Sequence, residues 1–207
     1  HQYSYGLEAA GVMAACIAEA LRPASSVESV IAAALALAKD GTRAAIAAVV
    51  EAARGAPEDE AECQRHLRAA MAPFDTVTGG VQEFTRAGAY PSQFHAIEEL
   101  PLALAFLTLA GGDYRRAVLG AVNYGRDSDS IAGMAGAIIG AMKGRSSLPA
   151  AWVETVIQRN RIDFDGVAAH MLALFTRTYQ AAQADAARRH HELISLGLAV
   201  ASEDGGA

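Results

Sequence analysis

Apolar residues recur at helical spacing along most of this chain. Leu7, Ala10, Met13, Ala14, Ile17 and Leu21 predict a helix over residues 5–21, and Arg22-Pro23 ends it. Ser25 or Ser26 caps a second helix that runs to Lys39, with Val30, Ile31, Leu35 and Leu37 among its apolar positions. Gly41-Thr42 breaks the chain before a third helix over 43–54, and Gly55-Ala56-Pro57 breaks it again before a fourth over 58–72. Residues 73–91 lose the helical period and are punctuated by Gly79-Gly80, Gly88 and Pro91. They form the longest expected loop, and long loops inside compact domains are often functional.

The period returns over 92–109, which opens with Gln93-Phe94-His95 and Glu98-Glu99 and then turns wholly apolar. Gly111-Gly112 ends that helix and Asp113 caps the next, over 114–122. Residues 123–130 lead into a helix over 131–143 closed by Gly144. Pro149 suits the first turn of a short helix carrying Trp152. After a turn at 160–165, residues 166–196 read as one long helix with Met171, Leu172, Leu174 and Phe175 facing inward. Residues 201–207 are expected to form a frayed, disordered tail. No run alternates in the manner of a strand, so the fold class is all-α, a single domain over residues 1–207.

Composition supports that class. Of the 207 residues 52% are apolar but only 6% aromatic, and alanine is abundant, which favours closely packed helices over a β-sandwich. The formal net charge of −6 leaves no basic surface for nucleic acid. Arg188-Arg189 followed by His190-His191 is the one cationic cluster, and it reads as a solvated helix face. Cys16 and Cys63 lie far apart with no C-x-x-C spacing, which implies neither a disulfide scaffold nor a zinc site and fits a reducing cytoplasm. The longest apolar run, over 131–142, is too short to span a bilayer, so no membrane association is expected.

The chemistry concentrates in Asn123-Tyr124-Gly125-Arg126-Asp127-Ser128-Asp129-Ser130. Hard cations such as Mg²⁺ take oxygen ligands, and two carboxylates two residues apart followed by a hydroxyl offer three of them. Asp and Ser are equally at home as helix caps, where negative charge suits the N-terminus. Spacing alone leaves both readings open. Gly133, Gly136 and Gly140 follow in the helix and would let it approach a neighbour closely.

The corner, the following Ala132-Gly133-Met134-Ala135-Gly136-Ala137, and Leu148-Pro149 with Trp152 resemble the C-terminal part of the ADP-ribosylglycohydrolase family, which includes the dinitrogenase reductase-activating glycohydrolases. The likeness extends upstream to His95, the apolar stretch 100–109 and Gly112-Asp113-Tyr114, and more weakly to His1 with Tyr5-Gly6. It implies a compact all-α orthogonal bundle holding two Mg²⁺ (or Mn²⁺) ions. These ions would hydrolyse the glycosidic bond of an ADP-ribosylated protein or a related ADP-ribosyl small molecule. On that resemblance Asp127, Asp129 and Ser130 are metal ligands, Asp127 and Asp129 are catalytic, and Asn123, Tyr124, Gly125 and His95 lie on the substrate side.

The family's earlier half carries further ligands in a Gly-Asp-x-x-Gly stretch and a Thr-Asp-Asp-Thr motif, and these residues contain neither. The resemblance therefore covers the C-terminal two-thirds of a member, with a missing N-terminal segment as the natural partner of the site. Arg126, where many members have glycine, could pair with Asp127, touch a substrate phosphate or face solvent. Glu98 and Glu99 are not expected to join the ligand set. The competing reading is a catalytically inactive helical relative that binds a nucleotide or a partner, with the Asp-rich corner only capping a helix.

Overall fold

A computed structural model describes residues 5–75 and 96–198. Among them are nine α-helices and no strand, in agreement with the all-α expectation. They are α1 Tyr5–Ala20, α2 Val27–Leu37, α3 Asp40–Arg54, α4 Glu60–Met71, α5 Ala96–Leu109, α6 Tyr114–Tyr124, α7 Ser128–Lys143, α8 Ala150–Asn160 and α9 Phe164–Ser195. Short 3-10 turns occupy Ala72–Phe74 and Arg145–Ser147. The expected loop past Asp75, His1 and His95 of the family resemblance, and the expected tail 201–207 lie outside the described residues. The chain divides into two compact units, His1–Ala150 and Ala151–Ala207.

The first unit is a helical bundle built around α5. Ile97 and every residue from Leu100 to Leu107 in that helix is buried, so α5 is apolar on all sides and must be surrounded. α3, α7, α6 and α1 pack on it. Ile46 and Val49 of α3, Ala117 and Ala121 of α6, and Ile131, Ala135, Ile138 and Ile139 of α7 complete the core. Pro101 sits inside α5 and lacks the N–H that would continue the ladder, a disruption the surrounding packing accommodates.

Several helix ends follow the caps read in the sequence. The Ser26 hydroxyl accepts from Ser29 N–H in a reciprocal capping box, and the Asp113 carboxylate accepts from Arg116 N–H at 2.7 Å. Gly144 closes α7 with a positive φ. One break was misjudged: α3 begins at Asp40, with Gly41-Thr42 inside it. The reason is tertiary. The Glu8 carboxylate of α1 accepts from the Lys39 N–H and from the Thr42 hydroxyl, so a distant acid organises the turn that the local sequence leaves uncapped.

The glycines of α7 also need correction. A β-carbon on Gly136 would stand 3.4 Å from Tyr114 and Val118, but Gly133 and Gly140 have nothing within 4 Å. The close approach is made instead at Gly120 of α6, where an added β-carbon would stand 3.0 Å from the Phe106 ring.

The second unit consists mainly of two helices. The expectation that Met171, Leu172, Leu174 and Phe175 face inward fails, because no residue of the 32-residue α9 is buried. Their amphipathic spacing is real, but a period marks a face as apolar without supplying the surface that would cover it. Trp152 is half-buried, and Arg188 and Arg189 are exposed as expected.

Candidate active site

The Asp-rich corner is the junction of α6 and α7. α6 runs two residues further than its periodicity predicts, so Asn123 and Tyr124 form its last turn. Tyr124 is 1% exposed, with its ring edge-on to Phe106 and the Arg68 guanidinium lying over its face. Burial, with Glu98 nearby, raises its phenol pKa, so the ring stays neutral and serves as an anchor. Arg68 also donates to the Tyr124 carbonyl, satisfying one of the free acceptors at the end of α6.

Gly125 then turns the chain at φ 80° and ψ −155°, a conformation open essentially to glycine alone. Arg126 follows at φ 57°, in the left-handed region. Its guanidinium is largely withdrawn from solvent. It binds the buried Glu98 with Nε–Oε1 2.6 Å and stands 3.6 Å from the Asp75 carboxylate. Burial opposes its charge, and Glu98 and Asp75 outweigh burial, so the guanidinium pKa rises. This clamp ties the corner to the first turn of α5 and to the end of the 3-10 turn after α4.

The clamp brings Glu99 to the corner. Asp127 is 9% exposed and occupies the N-cap position of α7. Its carbonyl accepts from Ile131 N–H at 3.1 Å, but its carboxylate makes no capping bond. Glu99 meets that carboxylate instead. Burial, the hydrogen bond to Asp127, and the charges of Asp127, Glu98 and, more weakly, Asp129 push the Glu99 pKa up to about 8. At neutral pH Glu99 and Asp127 therefore share a proton. Asp129, in the first turn of α7, is exposed, and Ser130 beside it is half-buried.

The donor chemistry of Asp127, Asp129, Glu99 and Ser130 is all oxygen, the kind a hard divalent ion takes. Burial does most to hold Glu99 protonated, and the repulsion from Asp127, Glu98 and Asp129 that adds to it is one that a cation would relieve. Among the described residues, however, no three His, Cys, Asp or Glu side chains stand arranged to enclose an ion. The corner fits part of a ligand set.

Asn123 serves a different neighbourhood. Its amide donates to Glu60 Oε1 at 2.6 Å, and it lines a cleft of about 810 Å³ with Arg54, Cys63, Phe106 and Arg116. Asp127, Asp129 and Glu99 do not line that cleft. Cys16 and Cys63 are free thiols, and burial pushes Cys16 up to about 11.

Sequence reasoning singled out the aspartates and the glycine turn, set Glu98 and Glu99 outside the ligand set, and left the role of Arg126 open. The available signal was Glu98-Glu99 itself: two acids opening a helix that is otherwise entirely apolar must be buried together, and a buried pair needs a counter-charge or a shared proton. No curated protein and no solved structure matches the chain. The family model for ADP-ribosylglycohydrolase matches residues 1–185, taking in the whole first unit and the corner with it. The match covers most of the chain, and the all-helical architecture agrees with it, so the protein belongs to the ADP-ribosylglycohydrolase family, whose members are hydrolases.

Proposed function

We propose that the chain contributes the metal-binding corner of a hydrolase that cleaves the glycosidic bond of an ADP-ribosylated protein or a related ADP-ribosyl compound. The observation that carries this reading is the placement of the Asp127 carboxylate. A residue kept only to cap α7 would turn its side chain onto the helix N–H groups. Asp127 holds the N-cap position without that bond and spends its carboxylate on Glu99. This favours the hydrolase over the inactive relative.

On this reading Asp127, Asp129 and Ser130 hold Mg²⁺ or Mn²⁺, with Glu99 as a further oxygen. Bound metal orients ribose hydroxyls and activates water in reactions of this kind. The chain's own groups do the rest. Cleavage at the ribose passes through an oxocarbenium-like state, in which a carboxylate near the attacking water takes its proton. Glu99, set against Asp127 and relieved of its proton by a bound cation, is the carboxylate suited to take it. Arg126 acts one step back, holding Glu98 and so the start of α5 against the corner. Gly125 offers unobstructed backbone to a ligand and His95 is the other substrate-side candidate, whereas the buried Tyr124 anchors the corner and Asn123 is held by Glu60.

The test is hydrolysis of ADP-ribosyl-arginine, ADP-ribosyl-serine and free ADP-ribosyl compounds by the full chain with Mg²⁺ or Mn²⁺. Asp127→Asn and Asp129→Asn each lower the rate at least about 100-fold on this account, in keeping with the scale of losses at electrostatic and acid–base groups. A folded Asp127→Asn variant with undiminished, chelator-sensitive activity would refute the assignment.

A further inference from the structure

α9 carries an unused seam. Ala168, Leu172, Phe175, Tyr179, Ala182, Ala186, Arg189, Leu193 and Leu196 follow one another at alternating spacings of four and three residues. A four–three alternation kept over this length is the pattern of a helix that packs along a second helix. The seam lies open: Leu172 and Phe175 are each 66% exposed and Tyr179 is 55% exposed. The Phe175 and Tyr179 rings stack on one another with centroids 6.1 Å apart, forming a flat apolar plate at the middle of the helix. The match to the family stops at residue 185, and the seam runs on beyond it.

The occupant is written in the charges. Asp165 continues the seam at the N-terminal end of α9, one step before Ala168, and Arg189 stands in it near the other end. We infer that α9 pairs antiparallel with α9 of a second copy of this chain. In the register that sets Phe175 against the partner's Tyr179, Leu172 meets the partner's Ala182, Ala168 meets the partner's Ala186, and Asp165 meets the partner's Arg189. Between Asp165 and Arg189 each large residue except the central rings faces a small one, the acid faces a base, and the two-fold repeats every contact. A parallel pairing would stack Arg189 on Arg189 and Asp165 on Asp165. Val167, Met171 and Leu174 widen the apolar face beside the seam, so the competing occupant is the chain's own first unit, and the experiment separates the two.

The test is sedimentation velocity of the full chain across micromolar concentrations, with circular dichroism to confirm that each variant keeps its helices. The wild type sediments as a dimer, and Leu172→Glu with Phe175→Glu gives a helical monomer. Asp165→Arg weakens the dimer about tenfold by placing two arginines together at each end, and adding Arg189→Asp restores it. In a Cys63→Ser background, Leu172→Cys and Ala182→Cys chains form a disulfide-linked dimer only when mixed. Two copies of position 172 would lie about 15 Å apart along an antiparallel pair. A wild-type monomer, a dimer indifferent to the Leu172 and Phe175 changes, or a disulfide formed by Leu172→Cys alone would each overturn the proposal.

Discussion

At the scale of single residues, the corner works through one shared proton and one buried ion pair. Glu99 is raised from 4.5 to about 8, so the folded chain holds a proton between those values that the unfolded chain releases. A proton held more tightly by the folded state stabilises it at low pH, and that stabilisation is lost as pH rises through about 8. Thermal stability of the metal-free protein therefore declines across this window, and Glu99→Gln flattens the decline, which melting curves at a series of pH values would check. Arg126 and Glu98 behave differently, because their side chains are 16% and 8% exposed and bind each other directly. Arg126→Met leaves the Glu98 carboxylate buried without its main counter-charge and costs about 3 kcal/mol, measurable by denaturant unfolding. Gly125→Ala forces a β-carbon into a glycine-only conformation and destabilises by about 1–3 kcal/mol.

At the scale of elements, two glycine substitutions separate packing from propensity. Gly120→Ala pushes a methyl group to 3.0 Å from the Phe106 ring at the α5–α6 contact and lowers stability by about 1–2 kcal/mol. Gly133→Ala adds a methyl group in open space on an exposed turn of α7 and raises stability by up to about 1 kcal/mol. Equal effects at the two sites would contradict the packing described here. The helices themselves were legible because their signals are local: Ser26, Asp113 and Gly144 act within one turn of where they sit. What the sequence hid was non-local. Nothing near Gly41 announces that Glu8 will organise the start of α3, and nothing in three glycines of α7 announces that the close approach belongs to Gly120. The amphipathic period of α9 was read correctly and its burial wrongly, because a period shows that a face is apolar without saying what covers it.

At the scale of the whole molecule, a helical unit built around α5 presents an acidic corner, and a second unit presents a long helix. The aspartates of the corner were legible from their spacing and from the family resemblance. The contact with Glu99 was not, because Glu99 lies 28 residues before Asp127 and reaches its carboxylate only in the fold, where the Arg126–Glu98 clamp draws the start of α5 to the corner. The corner supplies oxygen donors without enclosing an ion, so the central claim is that a divalent metal nevertheless binds there. The direct measurement is a calorimetric titration of the full chain with Mg²⁺ and Mn²⁺ near neutral pH, in two buffers of different ionisation enthalpy, with and without ADP-ribose. The account predicts binding that tightens with ADP-ribose, releases the Glu99 proton and is lost in Asp127→Asn and Asp129→Asn. Binding that persists unchanged in both variants, or no binding by the folded chain with ADP-ribose present, would contradict it.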